Sequence, residues 1–252
     1  MGTSRSLRTP SGGGWSAVKT AITGHFSGRS LSPRQLACDV VEAGNGFGVG
    51  RGAGGDRPIS NISGSVGGAT ADLGGFGGGV AEGGLDAGLR TLGLDTSTGK
   101  SAAEVVSAVA SHLAREVDGV DGEVLRNALT DTLLEAATLT VDADKGALER
   151  GLQTFLAENR AEGLVEAFLC HYVFDVIWIN IESYVQSRCT DETSFQAFMS
   201  SVEEACRDDV RAAVGQAKER GRFDRLDWFG TDGRQVGREV IADLELRFRN
   251  LL

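Results

Sequence analysis

Residues 163–187 read Gly163-Leu-Val-Glu-Ala-Phe-Leu-Cys-His-Tyr-Val-Phe-Asp-Val-Ile-Trp-Ile-Asn-Ile-Glu-Ser-Tyr-Val-Gln-Ser187. No proline interrupts them and no glycine follows the first position, so nothing in the stretch breaks a helix. At about 100° per residue, His171, Asp175, Glu182 and Gln186 fall on one narrow stripe, with Trp178 among them. Leu164, Phe168, Leu169, Tyr172, Val173, Val176, Ile177, Ile181 and Tyr184 cover most of the remaining surface. A helix that is apolar nearly all round is buried by neighbours on several sides, so the rest of the chain must fold around this one. It is long enough to cross a bilayer, but Glu166, Asp175 and Glu182 would then lie in hydrocarbon. The expectation is a core helix and no membrane.

Helical periodicity continues on both sides. Leu148, Leu152, Phe155 and Leu156 form the inner face of a helix ending near Asn159. Downstream, Phe195, Phe198, Val202, Ala205, Val210 and Val214 repeat the pattern, and Asp232 is placed to cap a last helix bearing Val236, Val240, Ile241, Leu244 and Phe248. Upstream, Ser101-Ala-Ala-Glu104 is a capping box opening a helix with Val105, Val106, Val109 and Leu113. Asp121 is expected to cap the next, with Leu125, Leu129, Leu133 and Leu134 inside. No stretch alternates as a strand would. The fold class is all-α: a helical bundle around a central buried helix, preceded by a Gly-rich, largely flexible N-terminal arm. The expected division is an arm over 1–64, basic and carrying short helices, and a helical domain over 65–252.

Residues 44–93 hold 19 of the 36 glycines. From Gly44 to Gly55 they alternate with small residues and read as a linker. From Val66 the chain differs: Val66, Ala69, Leu73, Phe76 and Val80 recur at steps of three and four. Each glycine costs a helix roughly 1 kcal/mol relative to alanine, so this helix requires an element packed closely against it. Leu85, Leu89 and Leu92 extend the same face. In the arm, Trp15, Val18 and Ile22 mark a short helix, and Ser32-Pro33 starts another with Leu36, Val40 and Val41 on its apolar face and Gly44 as its stop.

The net charge of −10 on 252 residues excludes bulk nucleic-acid binding, which needs a basic footprint. The charge is uneven. Residues 1–60 carry seven Lys/Arg against three Asp/Glu, a balance of +4 that leaves −14 on the remainder. Such an arm docks on an acidic surface or stays solvated. Cys38, Cys170, Cys189 and Cys206 show no paired spacing, as expected of reduced thiols in the cytoplasm, and no apolar signal segment follows Met1.

Few residues suggest chemistry. Gly93-Leu-Asp-Thr-Ser-Thr-Gly99-Lys100-Ser101 resembles a phosphate loop but has five residues between its glycines instead of four, and a helical stretch instead of a strand before it. His171 and Asp175 lie one turn apart with Glu182 beyond them, which fits either a general base or a polar seam. No second His lies at i+4 and no Glu-x-x-His occurs, so no metal site is expected. Trp228-Phe229 reads as a partner anchor or as a plug under a loop. Glu203, Glu204, Asp208 and Asp209 read as a solvated helix face.

The N-terminus is the sharpest signal. Met1-Gly2 predicts removal of Met1 and a free Gly2 amine on a mobile tail. Gly2 to Ser6 also fit the N-myristoylation pattern, which leaves an acylated peripheral membrane protein as one alternative. The opening Met1-Gly2-Thr3-Ser4-Arg5-Ser6-Leu7-Arg8-Thr9-Pro10, followed by Trp15, resembles the QatB-type component of Qat anti-phage defence systems. The order of later parts does as well: Leu73-Gly-Gly-Phe76, then Gly84-Leu-Asp-Ala-Gly-Leu-Arg90, a helical body and a terminal Asp-Trp-x-Gly motif at 227–230. The resemblance implies a defence operon whose other products are an ATPase, a QueC-like enzyme related to deazaguanine biosynthesis, and a TatD-like nuclease. It implies that this chain is no enzyme but the partner and substrate of the QueC-like enzyme. Gly2 would be modified, and Thr3, Ser4, Arg5, Ser6, Arg8, Pro10 and Trp15 would bind the partner enzyme. No cofactor is expected beyond a covalent deazaguanine-derived group on Gly2. The competing reading is an enzyme using His171, Asp175 and Glu182.

Overall fold

The computed structural model describes residues 10–47, 60–95, 100–138, 144–223, 228 and 231–249, with side chains from residue 64 and residue 232 onward in the two helices that open at Ser60 and Thr231. Among these residues the protein is entirely helical, without a strand: α1 (Gly13–Phe26), α2 (Pro33–Ala43), α3 (Ser60–Gly83), α4 (Leu85–Thr91), α5 (Ala102–Leu113), α6 (Gly119–Ala136), α7 (Lys145–Arg188), α8 (Glu192–Glu219) and α9 (Thr231–Phe248). Two compact units emerge. One comprises Met1–Ser60, Val173–Ala213 and Ala242–Leu252; the other comprises Asn61–Tyr172 and Val214–Ile241.

The first unit is built on α1 and α2. Trp15, Val18 and Ile22 of α1 are buried, as are Leu36, Val40 and Val41 of α2. The Ser32 side chain accepts a hydrogen bond from the Gln35 amide, with Pro33 at the first helical position. From residue 10 to 47 the expected arm is thus a pair of helices with buried apolar faces. Gly44 ends α2 but keeps right-handed geometry. The left-handed turn falls on Asn45 (φ 57°), and Gly46 follows at φ 116°. That turn delivers Phe47 edge-on to Phe248, with ring centroids 5.6 Å apart. Val173, Val176, Ile177, Ile181 and Val185 of α7, with Val202, Cys206 and Val210 of α8, complete this core.

The second unit holds the glycine-rich helix. Val66, Ala69, Leu73, Phe76 and Val80 of α3 are buried as their spacing predicts. The glycines fall where neighbours come closest. A Cβ on Gly79 would lie 3.0 Å from the Gly88 Cα, and one on Gly77 would lie 3.3 Å from Leu156 and Leu164 methyl carbons. The apolar face does not run on unbroken to Leu92. Gly84 (φ 81°) turns the chain, and Leu85 opens a separate α4 whose first amide donates to Glu149 Oε1 at 3.0 Å.

The capping box at Ser101 is complete: Ser101 Oγ accepts from the Glu104 amide and Glu104 Oε2 from the Ser101 amide. Helix α6 starts two residues ahead of the expected cap, at Gly119 (φ 70°). Asp118 holds the N-cap position without a side-chain cap bond, and Asp121 lies in the first turn. Asp232 likewise lies in the first turn of α9.

Helix α7 contains one break, at Arg160 (φ 59°), which separates the segment ending at Asn159 from the one carrying Gly163. Leu164, Val165, Phe168, Leu169 and Tyr172 are buried in the second unit, and Val173, Val176, Ile177, Ile181 and Val185 in the first. Asn180, 3% exposed, donates its side-chain amide N–H back to the Val176 carbonyl at 2.7 Å, a bond within its own helix. By length and composition α7 could cross a membrane, but 61% of its most apolar window is buried within the protein.

Candidate functional site

Two members of the polar stripe of α7, His171 and Glu182, each have a side-chain partner. His171 Nε2 meets Glu135 Oε2 of α6 at 2.6 Å within the second unit. In the first unit, Glu182 Oε1 accepts from Gln186 Nε2 at 3.2 Å, and Asp175 is half-buried. Three surface hollows of about 490, 340 and 370 Å³ have no lining from His171, Asp175 or Glu182. Among the described residues, no group of three or more His, Cys, Asp or Glu could hold a metal ion. The thiols of Cys38, Cys170, Cys189 and Cys206 are all free of disulfides. Burial pushes the Cys38 thiol up, opposite to what a nucleophile needs.

The geometry overturns the expectation for Asp209 and favours one of the two readings of Trp228. Asp209 does not lie on a solvated face: it is 7% exposed and receives the Arg34 guanidinium at 2.9 and 3.1 Å. Hydrogen bonding to Asp209 first, and its charge second, hold the Arg34 pKa above its ordinary value. Trp228 is a plug. Its ring lies so close to Gly74 that any Cβ there would collide with it, and it packs on Phe223 at a centroid distance of 6.0 Å. Phe229 lies outside the described residues, as do Thr96 to Gly99 of the phosphate-loop lookalike; Ser101 serves as a helix cap, and the element before that loop is α4.

Of the tail residues, Gly2, Thr3, Ser4, Arg5, Ser6 and Arg8 lie outside the described residues. Pro10 and Trp15 lie inside. Trp15 is 2% exposed, so its ring serves the core of the first unit. Pro10 is the first described residue, eight positions from Gly2. Lys19 Nζ donates to the Pro10 carbonyl at 2.9 Å. The same ammonium stands 5.8 Å from the centre of the Tyr184 ring, and the Arg188 guanidinium stands 5.1 Å from it. The Tyr184 hydroxyl shares a hydrogen bond with Thr23 Oγ1 at 2.9 Å. That bond, more than the bond and charge from Arg188 and the charge of Lys19, lowers the Tyr184 pKa. Helical spacing explains the arrangement: Lys19 and Thr23 share one side of α1, and Tyr184 and Arg188 one side of α7. The sequence offered no signal for this pairing, because the partners are about 165 positions apart.

Comparison with known proteins adds one match. A family model described as "QatB: Qat anti-phage system associated protein QatB" matches residues 54–242. No curated protein and no solved structure matches the chain.

Proposed function

The chain belongs to the QatB family of proteins associated with the Qat anti-phage system, and from that premise we propose that it is the non-catalytic protein substrate of a QueC-like enzyme, modified at Gly2. The family match carries this reading, and the chemistry of a terminal glycine supplies the reacting atom. An α-amino group has a pKa of roughly 7.7–8.0, so about a tenth is neutral at pH 7, far more than for a lysine amine near 10.4. Gly2 has no side chain to hinder attack. A QueC-like enzyme spends ATP to convert a deazaguanine carboxylate into an acyl-adenylate, releasing pyrophosphate. The Gly2 nitrogen then attacks the acyl carbon in place of ammonia, AMP leaves, and the nitrogen sheds a proton as the amide forms.

Reach supports the same reading. From Gly2 to Pro10 a fully extended chain spans at most roughly 28 Å, enough to thread an enzyme cleft from a root held by Lys19. Thr3, Ser4, Ser6, Arg5 and Arg8 supply hydrogen bonds and charge along that path. The pairing of His171 with Glu135 and the burial of Cys38 favour a structural role for the groups an enzyme would otherwise use. The test is co-expression with the QueC-like neighbour: an intact-mass gain confined to Gly2 supports the reading, and an unmodified chain in the presence of active enzyme refutes it.

A further inference from the structure

We propose that Lys19, Arg188 and Tyr184 form a docking surface for an acidic face of the enzyme that modifies the tail; this rests on the reading of Gly2 as the modified residue. The first observation is position. Lys19 holds the Pro10 carbonyl, so the first described residue on the Gly2 side of the chain lies beside the same cluster. An enzyme that closes on Gly2 works within roughly 28 Å of Pro10, a radius that includes this cluster.

The second observation is charge. The chain carries −10 overall, yet its first 38 residues hold no acid. Among the described residues, neither Lys19 nor Arg188 has a carboxylate within ion-pair distance, whereas Arg34 of the same region is neutralised by Asp209. Arg188 is exposed, and Lys19, Tyr184 and Pro10 are half-exposed.

The third observation is rigidity. The Tyr184 hydroxyl bonds Thr23 and its ring lies under both cations, a contact that favours these positions before any partner arrives. Cations held in advance lose less freedom on binding than free surface side chains. Complementary rim charges act mainly on encounter and register. The cluster would therefore bring the tail to the enzyme in one orientation and take no part in the acyl transfer.

The experiment compares full-length wild type with the Lys19→Glu/Arg188→Glu double variant, using Tyr184→Phe and the conservative Lys19→Arg/Arg188→Lys pair as controls. Affinity for the QueC-like enzyme is measured without ATP, and the KM and kcat of Gly2 modification with it. The charge reversal should weaken binding and raise KM by roughly tenfold, leave kcat unchanged and flatten the salt dependence of association. The conservative pair should bind within about twofold of wild type. Unchanged affinity in the folded double variant overturns the docking surface, and so does a fall in kcat at constant KM. Weakened binding with no modification of wild type keeps the docking surface and removes the Gly2 reading. No binding by wild type removes both.

Discussion

Gly67 and Gly237 face each other where α3 meets α9: a Cβ on Gly237 would lie 2.9 Å from the Gly67 Cα and 3.0 Å from its carbonyl oxygen. Backbone thus packs on backbone, and the contact replaces the helix stability that glycine gives up. Alanine at position 237 has no flexible neighbour to displace. Gly237→Ala should destabilise by about 1–3 kcal/mol despite its better helix propensity. Gly78 of the same α3 has open space where its Cβ would stand. Gly78→Ala should stabilise by up to about 1 kcal/mol. Urea titrations of both variants check the pair, and equal effects would contradict close packing as the reason for the glycines.

That contrast shows what the sequence disclosed. The steps between Val66, Leu73, Phe76 and Val80 marked a helix through a glycine-rich stretch, and the need for a close neighbour followed from the glycines alone. Which element would come close was not legible, because the answer lies some 170 positions away in Gly237. The same limit hid the burial of Asp209, an acid on a polar-looking face whose partner, Arg34, is also remote. Local signals fared better: Ser32-Pro33 and Ser101-Ala-Ala-Glu104 act through neighbours three residues away. The break at Arg160 had no signal, since arginine has no preference for positive φ. The cluster at the root of the tail was equally hidden, because only folding brings α1 and α7 together.

Ile177 is fully buried and Val176 is 2% exposed in the first unit. Ile177→Asp would place an unpaired charge there, at a cost of several kcal/mol. The expected outcome is loss of soluble protein, read from the soluble fraction on expression. A soluble, fully helical Ile177→Asp protein would contradict the central place given to α7.

The side chain of His171 is 15% exposed and that of Glu135 is 49% exposed. Removing this partly solvated pair should cost about 1 kcal/mol or less. His171→Ala and Asp175→Ala should keep defence activity in a phage-plating assay, apart from the effect of lost stability. Abolished defence in a folded, partner-binding His171→Ala protein would favour the enzyme reading.

The Glu104 carboxylate is held below its usual range, first by the Ser101 amide and then by the Ser101 hydroxyl. A depressed carboxylate adds stability above its unfolded pKa and loses it as pH falls through the folded value. Ser101→Ala should therefore lower Tm at pH 7, and the gap to wild type should narrow as the pH drops below about 4. Thermal unfolding at several pH values measures this. A gap that widens in acid would reverse the assigned sign.

Modification of Gly2 is tested by the mass of the N-terminal peptide isolated from cells whose Qat system is protecting them. The Gly2 amine should carry an amide-linked deazaguanine-derived group, absent when the QueC-like gene is deleted. A bulky residue at position 2, which keeps Met1 in place, should remove the adduct and the protection together. A free, unmodified Gly2 in protected cells would contradict it.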